Sequence, residues 1–321
     1  RFENNALAQK TAVWTANHFS TVSSVLKTTL LAANTVRNVI GNKTMSVLAK
    51  GLRAASGNHI PLWTPSMPKA APAINISKQN ENELKVVYFP SCLNQTMGAS
   101  PADTDQTHIV KKMTDFLNKA GYKVIFPEKM NSLCCGTIWE SKGFSQIADK
   151  KSEELEKALL KASENGKYPV LCDQSPCLKR MRETMKSLDL FEPVEFIDRF
   201  LLDKLDFHPT DEPITVHATC STIKMGLKPT LVKIAKLCSN NVLVPSEVGC
   251  CGFAGDKGFT LPELNAHGLR KLRPQTTSHH TLQGFSNSRT CEIGLSTHSG
   301  IPYQSIVFLV DKCTTAKKKA E

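Results

Sequence analysis

From residue 84 onward the chain alternates between short runs of β-branched and aromatic residues and longer stretches whose apolar side chains recur every three or four positions. The runs "KVVYFP", "YKVIFP" and "YPVLCD" are separated by "KKMTDFLNKAG" and "KKSEELEKALLKA". Strand-like segments divided by amphipathic helical stretches predict crossover connections and parallel sheets, an α/β fold. The alternation then recurs with "PITVHATC", "PTLVKIAKLC", "NVLVPS", "LPELNAHGLRKL" and "LQGFSNSRTC". An internal repeat of this kind predicts two pseudo-symmetric subdomains.

The pattern before residue 84 is different. Within residues 5–34, Phe19, Val22, Leu26 and Leu30 recur three or four apart, with Ser20, Ser23, Ser24, Lys27 and Thr28 between them. That spacing predicts an amphipathic helix with one face buried. A second helical pattern over 44–53 follows Gly41, and "PLWTPSMPKAAP" then places four prolines in twelve residues, ending helical order. The expected organisation is a helical connector and proline-rich linker over 1–83, a first subdomain over 84–205, and a second over 206–321 ending in a basic tail.

The two copies align at their cysteines. "YFPSC" ends at Cys92 and "VHATC" at Cys220; "LCCGTIW" carries Cys134 and Cys135, "GCCGFAG" carries Cys250 and Cys251; "CDQSPC" ends at Cys177 and "FSNSRTC" at Cys291. The first cysteine precedes the pair by 42 and 30 residues, and the last follows it by 42 and 40. Each copy thus has one cysteine after a first strand, a vicinal pair after a second and one after a third. Loops at the carboxyl ends of parallel strands converge, so four thiols are expected in one crevice per copy. Four thiolates suit tetrahedral zinc or an iron–sulfur cluster. A vicinal pair favours the polynuclear centre, because neighbouring side chains diverge and each can take a different iron. Gly136, Gly252 and Gly255 are expected to let backbone approach such a core and lend N–H groups to its sulfurs.

Other residues read more plainly. Cys238, on a helix face, and Cys313, beside the tail "KCTTAKKKAE", are expected to be small packing or surface thiols. His217, three residues before Cys220, is read as a packing residue, with a ligand or supporting role as the alternative. Asp256 and Lys257 are read either as tuning a redox potential or as a loop ion pair. Eleven cysteines, an odd number, suit metal or redox work in a reducing interior better than a secreted disulfide framework.

Composition adds the surroundings. The 321 residues, 40% hydrophobic and 21% charged, suffice for two soluble domains. A net charge of +11 suggests either a solvated basic face or an acidic partner, and nucleic acid is not expected as that partner. Runs such as "SIVFLV" fall far short of a membrane span. The chain begins at Arg1 with no signal-peptide pattern, and is expected to be a fragment of a longer protein.

At the cysteine runs the chain resembles the cysteine-rich CCG domain found twice in the heterodisulfide reductase B subunit, the glycolate oxidase iron–sulfur subunit and lactate-utilisation proteins. "EVGCCGFAGDKGFTLPEL" and "SRTCEIG" are most similar to the C-terminal region of respiratory FAD-linked iron–sulfur D-lactate dehydrogenases. The resemblance spans roughly residues 85–311 and implies [4Fe-4S] clusters of non-cubane type on Cys92, Cys134, Cys135 and Cys177 and on Cys220, Cys250, Cys251 and Cys291. The family's fullest pattern closes with CxxC. Here Gln174 and Ser288 replace its first cysteine, leaving four thiolates per copy, while Cys172 aligns with Ser286 and is expected to face the core.

The resemblance further implies an electron-transfer module that receives electrons from reduced FAD. The flavin belongs to a flavin-bearing dehydrogenase domain or subunit, ferredoxin-like clusters follow it, and a quinone or cytochrome accepts the electrons. A thiol–disulfide reductase subunit and a glycolate oxidase subunit are the alternatives. No flavin-binding region and no ferredoxin spacing are legible here, so the chain alone is not expected to oxidise a hydroxy acid. A cytoplasmic place is expected, with peripheral membrane contact through the N-terminal helix and "KKK" at 317–319.

Overall fold

The computed structural model describes residues 5–74 and 84–317. The first four residues, 75–83 of the linker and the tail from 318, including two lysines of the "KKK" run, lie outside the described residues.

Two four-stranded parallel sheets follow an N-terminal helical region, as the alternation predicts. The first comprises β1 (Leu84–Phe89), β2 (Tyr122–Ile125), β3 (Val170–Cys172) and β4 (Leu190–Phe191), in the order β2-β1-β3-β4. After β5 (Leu205–Phe207) the second sheet repeats that order as β7-β6-β8-β9, from β6 (Ile214–Val216), β7 (Val242–Leu243), β8 (Gln283–Ser286) and β9 (Tyr303–Ser305). β10 (Thr314–Ala316) pairs antiparallel with β5 and clips the end of the chain to the joint between the halves. In both sheets the chain goes first to one side of the starting strand and then to the other. That reversal opens a crevice beyond the carboxyl ends of β1 and β3, and of β6 and β8.

Alternation along β1 shows how the layers form. Val86 and Tyr88 enter a core shared by both halves, with Phe196, Val216, Ile234, Phe285 and Ile306. Val87 and Phe89 face the other way, into a core closed by the helices Ser145–Ala162 and Ser175–Thr184. Successive strand side chains must point to opposite faces, so a fully apolar strand is buried on both. "SIVFLV" divides between two elements. Ser305 ends β9, and its hydroxyl accepts from the Val307 N–H to cap the helix Ile306–Lys312, whose apolar side enters the shared core.

The N-terminal region forms α1 (Ala6–Asn17) and α2 (Phe19–Ala55), separated at His18. α2 breaks at Gly41, where φ is 78° and ψ 166°, so the pattern over 44–53 is a separate helical stretch as read. The burial of α2 follows the amphipathic expectation in part. Phe19 is buried against Trp139, at 5.4 Å between ring centroids, and Val22 and Leu30 are half-buried, but Leu26 is 54% exposed. Ser20, Ser23 and Lys27 are half-buried as well and line a cavity beside Cys92 and Gln95. Among the described residues, no helix is long and apolar enough to cross a membrane.

The halves meet through a buried polar seam. The Gln174 amide donates to Ser288 Oγ at 2.9 Å and its carbonyl accepts from the Arg289 N–H at 3.0 Å. The Ser175 hydroxyl lies 2.8 Å from that of Thr222. Glu192, fully buried after β4, accepts from Thr222 Oγ1 at 3.1 Å and from the Asn287 amide, while its second oxygen is unpartnered. Burial pushes the Glu192 carboxyl up to about 7. The ordinary glutamate pKa is near 4.5, so the stabilising protonated form is fully present below that value and is lost as pH rises toward 7. Glu192→Gln should therefore match the wild type below about pH 4.5 and exceed its stability above pH 7, by up to about 3 kcal/mol. Urea denaturation at pH 4, 6 and 8 measures the difference; a gap that is constant across pH contradicts the assignment.

Candidate metal centres

Each cysteine is placed by a local device that recurs in the second half. Ser91 and Thr219 cap short helices that begin at Cys92 and Cys220; their hydroxyls accept from the N–H groups of Asn94 and Thr222 at 3.2 and 3.3 Å. Cys177 and Cys291 lie in the first turn of the helices Ser175–Thr184 and Arg289–Ser299, which follow β3 and β8 directly. The vicinal pairs occupy the turns after β2 and β7. All eleven cysteines are free thiols.

The turn that carries each pair is held by a close backbone approach. Gly136 has φ 88°, and a Cβ there would lie 2.3 Å from the Ala148 carbonyl oxygen; Gly252 has φ 71°, and a Cβ would lie 2.3 Å from that of Leu264. The close contact that these glycines allow is thus with the next helix, Ser145–Ala162 or Pro262–Gly268, and not with the crevice. Their N–H groups do face sulfur, donating to Cys134 Sγ at 3.5 Å and Cys250 Sγ at 3.4 Å. Gly255, with φ 78°, meets no atom within 4 Å and serves the turn alone. The carbonyl of the pair's second cysteine is also tied down. Cys135 O accepts from Ser152 Oγ at 2.8 Å and from Arg180 Nε at 2.9 Å, and Cys251 O accepts from the Asn265 amide. Arg180 is in turn held by Glu140 at 2.5 Å and Asp149 at 2.7 Å.

These devices bring the thiols together in the same order in both halves. Cys92 meets Cys134, Cys134 meets Cys135, and Cys135 meets Cys177. In the second half Cys220 meets Cys250, Cys250 meets Cys251, and Cys251 Sγ lies 2.9 Å from Cys291 Sγ. One thiol of each string collects hydrogen bonds from its neighbours and is held well below the ordinary thiol range. It is Cys135 in the first half, through Cys134, Cys177 and Thr137, and Cys250 in the second, through Cys220, Cys251 and the Gly252 N–H. Their neighbours Cys134, Cys177, Cys220 and Cys251 are pushed up, first by donating to these thiolates and then by burial. Among the described residues no group of three or more His, Cys, Asp or Glu is disposed to hold a single metal ion. Four thiols in a string are not a tetrahedron, but their number matches the four-thiolate ligation of an iron–sulfur cluster.

The two sets differ in their surroundings. Cys134, Cys135 and Cys177 are buried and Cys92 is half-buried; Cys220 and Cys250 are exposed, with Cys251 and Cys291 buried. Beside Cys92 lies a cavity of about 390 Å³ walled by Ser20, Ser23, Lys27, Gln95 and Met130. Cys172 is fully buried among apolar residues behind the first set, and burial pushes its thiol well up. Gln174 and Ser288, at the positions where the fuller pattern has cysteine, bond to each other across the seam. Cys238 and Cys313 are buried together in the core shared by the halves, where the Cys313 thiol donates to the Cys238 carbonyl at 3.4 Å. Asp256 forms an exposed ion pair with Lys142 at 2.8 Å that links the two CCG loops. Sequence reasoning missed Arg180 and Asn265, since a single polar residue on a helix carries no signal of the carbonyl it holds.

The glycine contacts generate a specific expectation. Gly136→Ala forces a Cβ against a backbone oxygen in a left-handed conformation and should cost about 3 kcal/mol or more, while Gly255→Ala meets open space and should cost about 1 kcal/mol. Urea denaturation of the two variants side by side checks the ranking; equal losses contradict it.

Comparison with known proteins identifies one domain. Residues 86–182 match the cysteine-rich domain designated CCG. No curated protein matches the chain. Among solved structures, the chain is similar to Picrophilus torridus aspartate racemase at 9% identity and a TM-score of 0.32, over 74% of this chain and 96% of that one. Residues 86–182, with Cys92, Cys134, Cys135 and Cys177, are therefore a CCG cysteine-rich domain of the kind typical of redox enzyme components.

Proposed function

We propose that this chain is the iron–sulfur electron-transfer region of a flavin-linked D-lactate, or D-2-hydroxy acid, dehydrogenase. The observation that carries the electron-transfer reading is the repeated string of four thiols, assembled from the same three loops in the same order in each half. Bound at these thiols, a [4Fe-4S] cluster supplies one-electron storage and transfer. The chain's own residues do the rest. Cys92, Cys134, Cys135 and Cys177 would hold one cluster, and Cys220, Cys250, Cys251 and Cys291 the other. The N–H groups of Gly136 and Gly252 offset negative charge on sulfur, and the helix contacts of the same glycines keep both turns rigid.

The choice of D-lactate rests on resemblance in the second CCG segment, "EVGCCGFAGDKGFTLPEL". Hydride removal from the hydroxy acid belongs to FAD on a partner domain or subunit, and the electrons leave to a quinone or cytochrome. The exposed apolar side of α1 and α2, including Leu7, Trp14, Val25 and Leu26, is the surface we assign to the flavin-bearing partner. A thiol–disulfide reductase is the second reading, favoured by the exposure of Cys220 and Cys250, which leaves the second site open to a disulfide substrate.

Anaerobic reconstitution of the chain should yield iron with acid-labile sulfide; zinc without sulfide overturns the cluster reading. D-lactate should reduce a dye through this chain only when a flavin-bearing partner is added, and a disulfide substrate consumed by the reconstituted chain with a chemical reductant favours the second reading. Cys177→Ser should lose the iron of one centre and keep the other, whereas Cys172→Ser should keep both and lose about 1 kcal/mol of stability. Iron per chain and EPR spectra of the two variants check this, and the reverse pattern shows a different thiolate set in the first site.

A further inference from the structure

The two thiol strings are alike, but the residue three places before the first cysteine is not. In the first half it is Phe89, 1% exposed and packed in the apolar core behind the site. In the second it is His217, 2% exposed at the end of β6. Its backbone is fixed by the sheet: the N–H donates to the Phe285 carbonyl at 2.9 Å, and its own carbonyl accepts from Ser286 Oγ at 2.9 Å. The imidazole has no such partners. Neither Nδ1 nor Nε2 makes a hydrogen bond, although a neutral imidazole has one donor and one acceptor to satisfy.

A buried ring with both nitrogens unpaired is an exception that needs a cause, because packing alone is better served by the phenyl ring found at Phe89. The thiol that acts electrostatically on the imidazole is Cys250, a member of the second string. His217 directly follows β6, at the carboxyl edge of the sheet where that string is held, three residues before Cys220.

We infer that the His217 imidazole is a hydrogen-bond donor to the sulfurs of the centre held by Cys220, Cys250, Cys251 and Cys291, and that this makes the second centre the more easily reduced of the two. The inference rests on the cluster reading above. A donor to sulfur favours the reduced, more negative state, and so does water at exposed Cys220 and Cys250. The first centre has Phe89 in the corresponding place and three buried thiols, so both influences are weaker there. His217 is a positioning and tuning residue, and electrons entering the chain come to rest on the second half.

The test compares the full reconstituted chain with His217→Phe, which installs the first centre's side chain, and His217→Gln, which keeps an N–H donor. Iron and sulfide are counted, and each centre's potential is followed by EPR-monitored redox titration with pulsed detection of weak nitrogen couplings. Expected are two unequal potentials in the wild type, a shift of the higher one alone in His217→Phe by about tenfold in the reduction equilibrium, 59 mV for one electron, and substantial recovery in His217→Gln. The weak imidazole coupling should disappear in both variants. Absence of iron and sulfide from the wild type defeats the cluster reading itself. Clusters present with unchanged potentials in His217→Phe overturn the inference alone. Loss of the second centre's iron in both variants, or a strong coupling from nitrogen bound directly to iron, shows a ligand in place of a donor and also overturns it.

Discussion

A single backbone contact, made twice, holds the candidate centres in place. The glycine that ends each CCG run adopts a left-handed conformation and lies against a carbonyl of the following helix so closely that no side chain fits between them. The absence of a side chain lets the turn pack directly on that helix. The hydroxyl of Ser152 and the guanidinium of Arg180 in one half, and the Asn265 amide in the other, then hold the carbonyl of the pair's second cysteine and tie the turn down. The capped helices at Cys92 and Cys220 and the first turns at Cys177 and Cys291 bring the remaining thiols to these fixed pairs.

The seam between the halves depends on a different balance. Gln174, Ser175, Glu192, Thr222, Asn287 and Ser288 are all buried, and such groups are costly unless they are paired. Most of them are, and the exceptions are Asn287 Oδ1 and one oxygen of Glu192, whose carboxyl is pushed toward neutrality. Gln174 and Ser288 stand where the fuller CCG pattern places further cysteines. Their mutual hydrogen bond joins the two halves of the repeat.

Legibility in the sequence followed the range of the forces involved. β1, β2, β3, β6 and β7 were all marked by local apolar runs, β8 by its place in the repeat, and the break at Gly41 by a single residue. β4 and β9, two and three residues long, gave no comparable signal, and β5 and β10 pair only because the segments that follow the first and the second sheet meet at the joint. The covered side of α2 was legible only in part. Phe19, Val22 and Leu30 lie on it and Leu26 does not, since the anchoring of Phe19 on Trp139 is a contact between distant segments.

By itself, then, the sequence determined the alternation of strands and helices, the repeat, and the eight cysteines with their spacing, because each is written in local periodicity or in residue identity. Only the tertiary structure decided that the CCG glycines face a helix, that the second thiol set is the open one, and that the His217 ring has no partner. Each of these depends on which distant segments meet across a parallel sheet, and contacts between residues far apart in the chain leave no trace in the pattern of either segment alone.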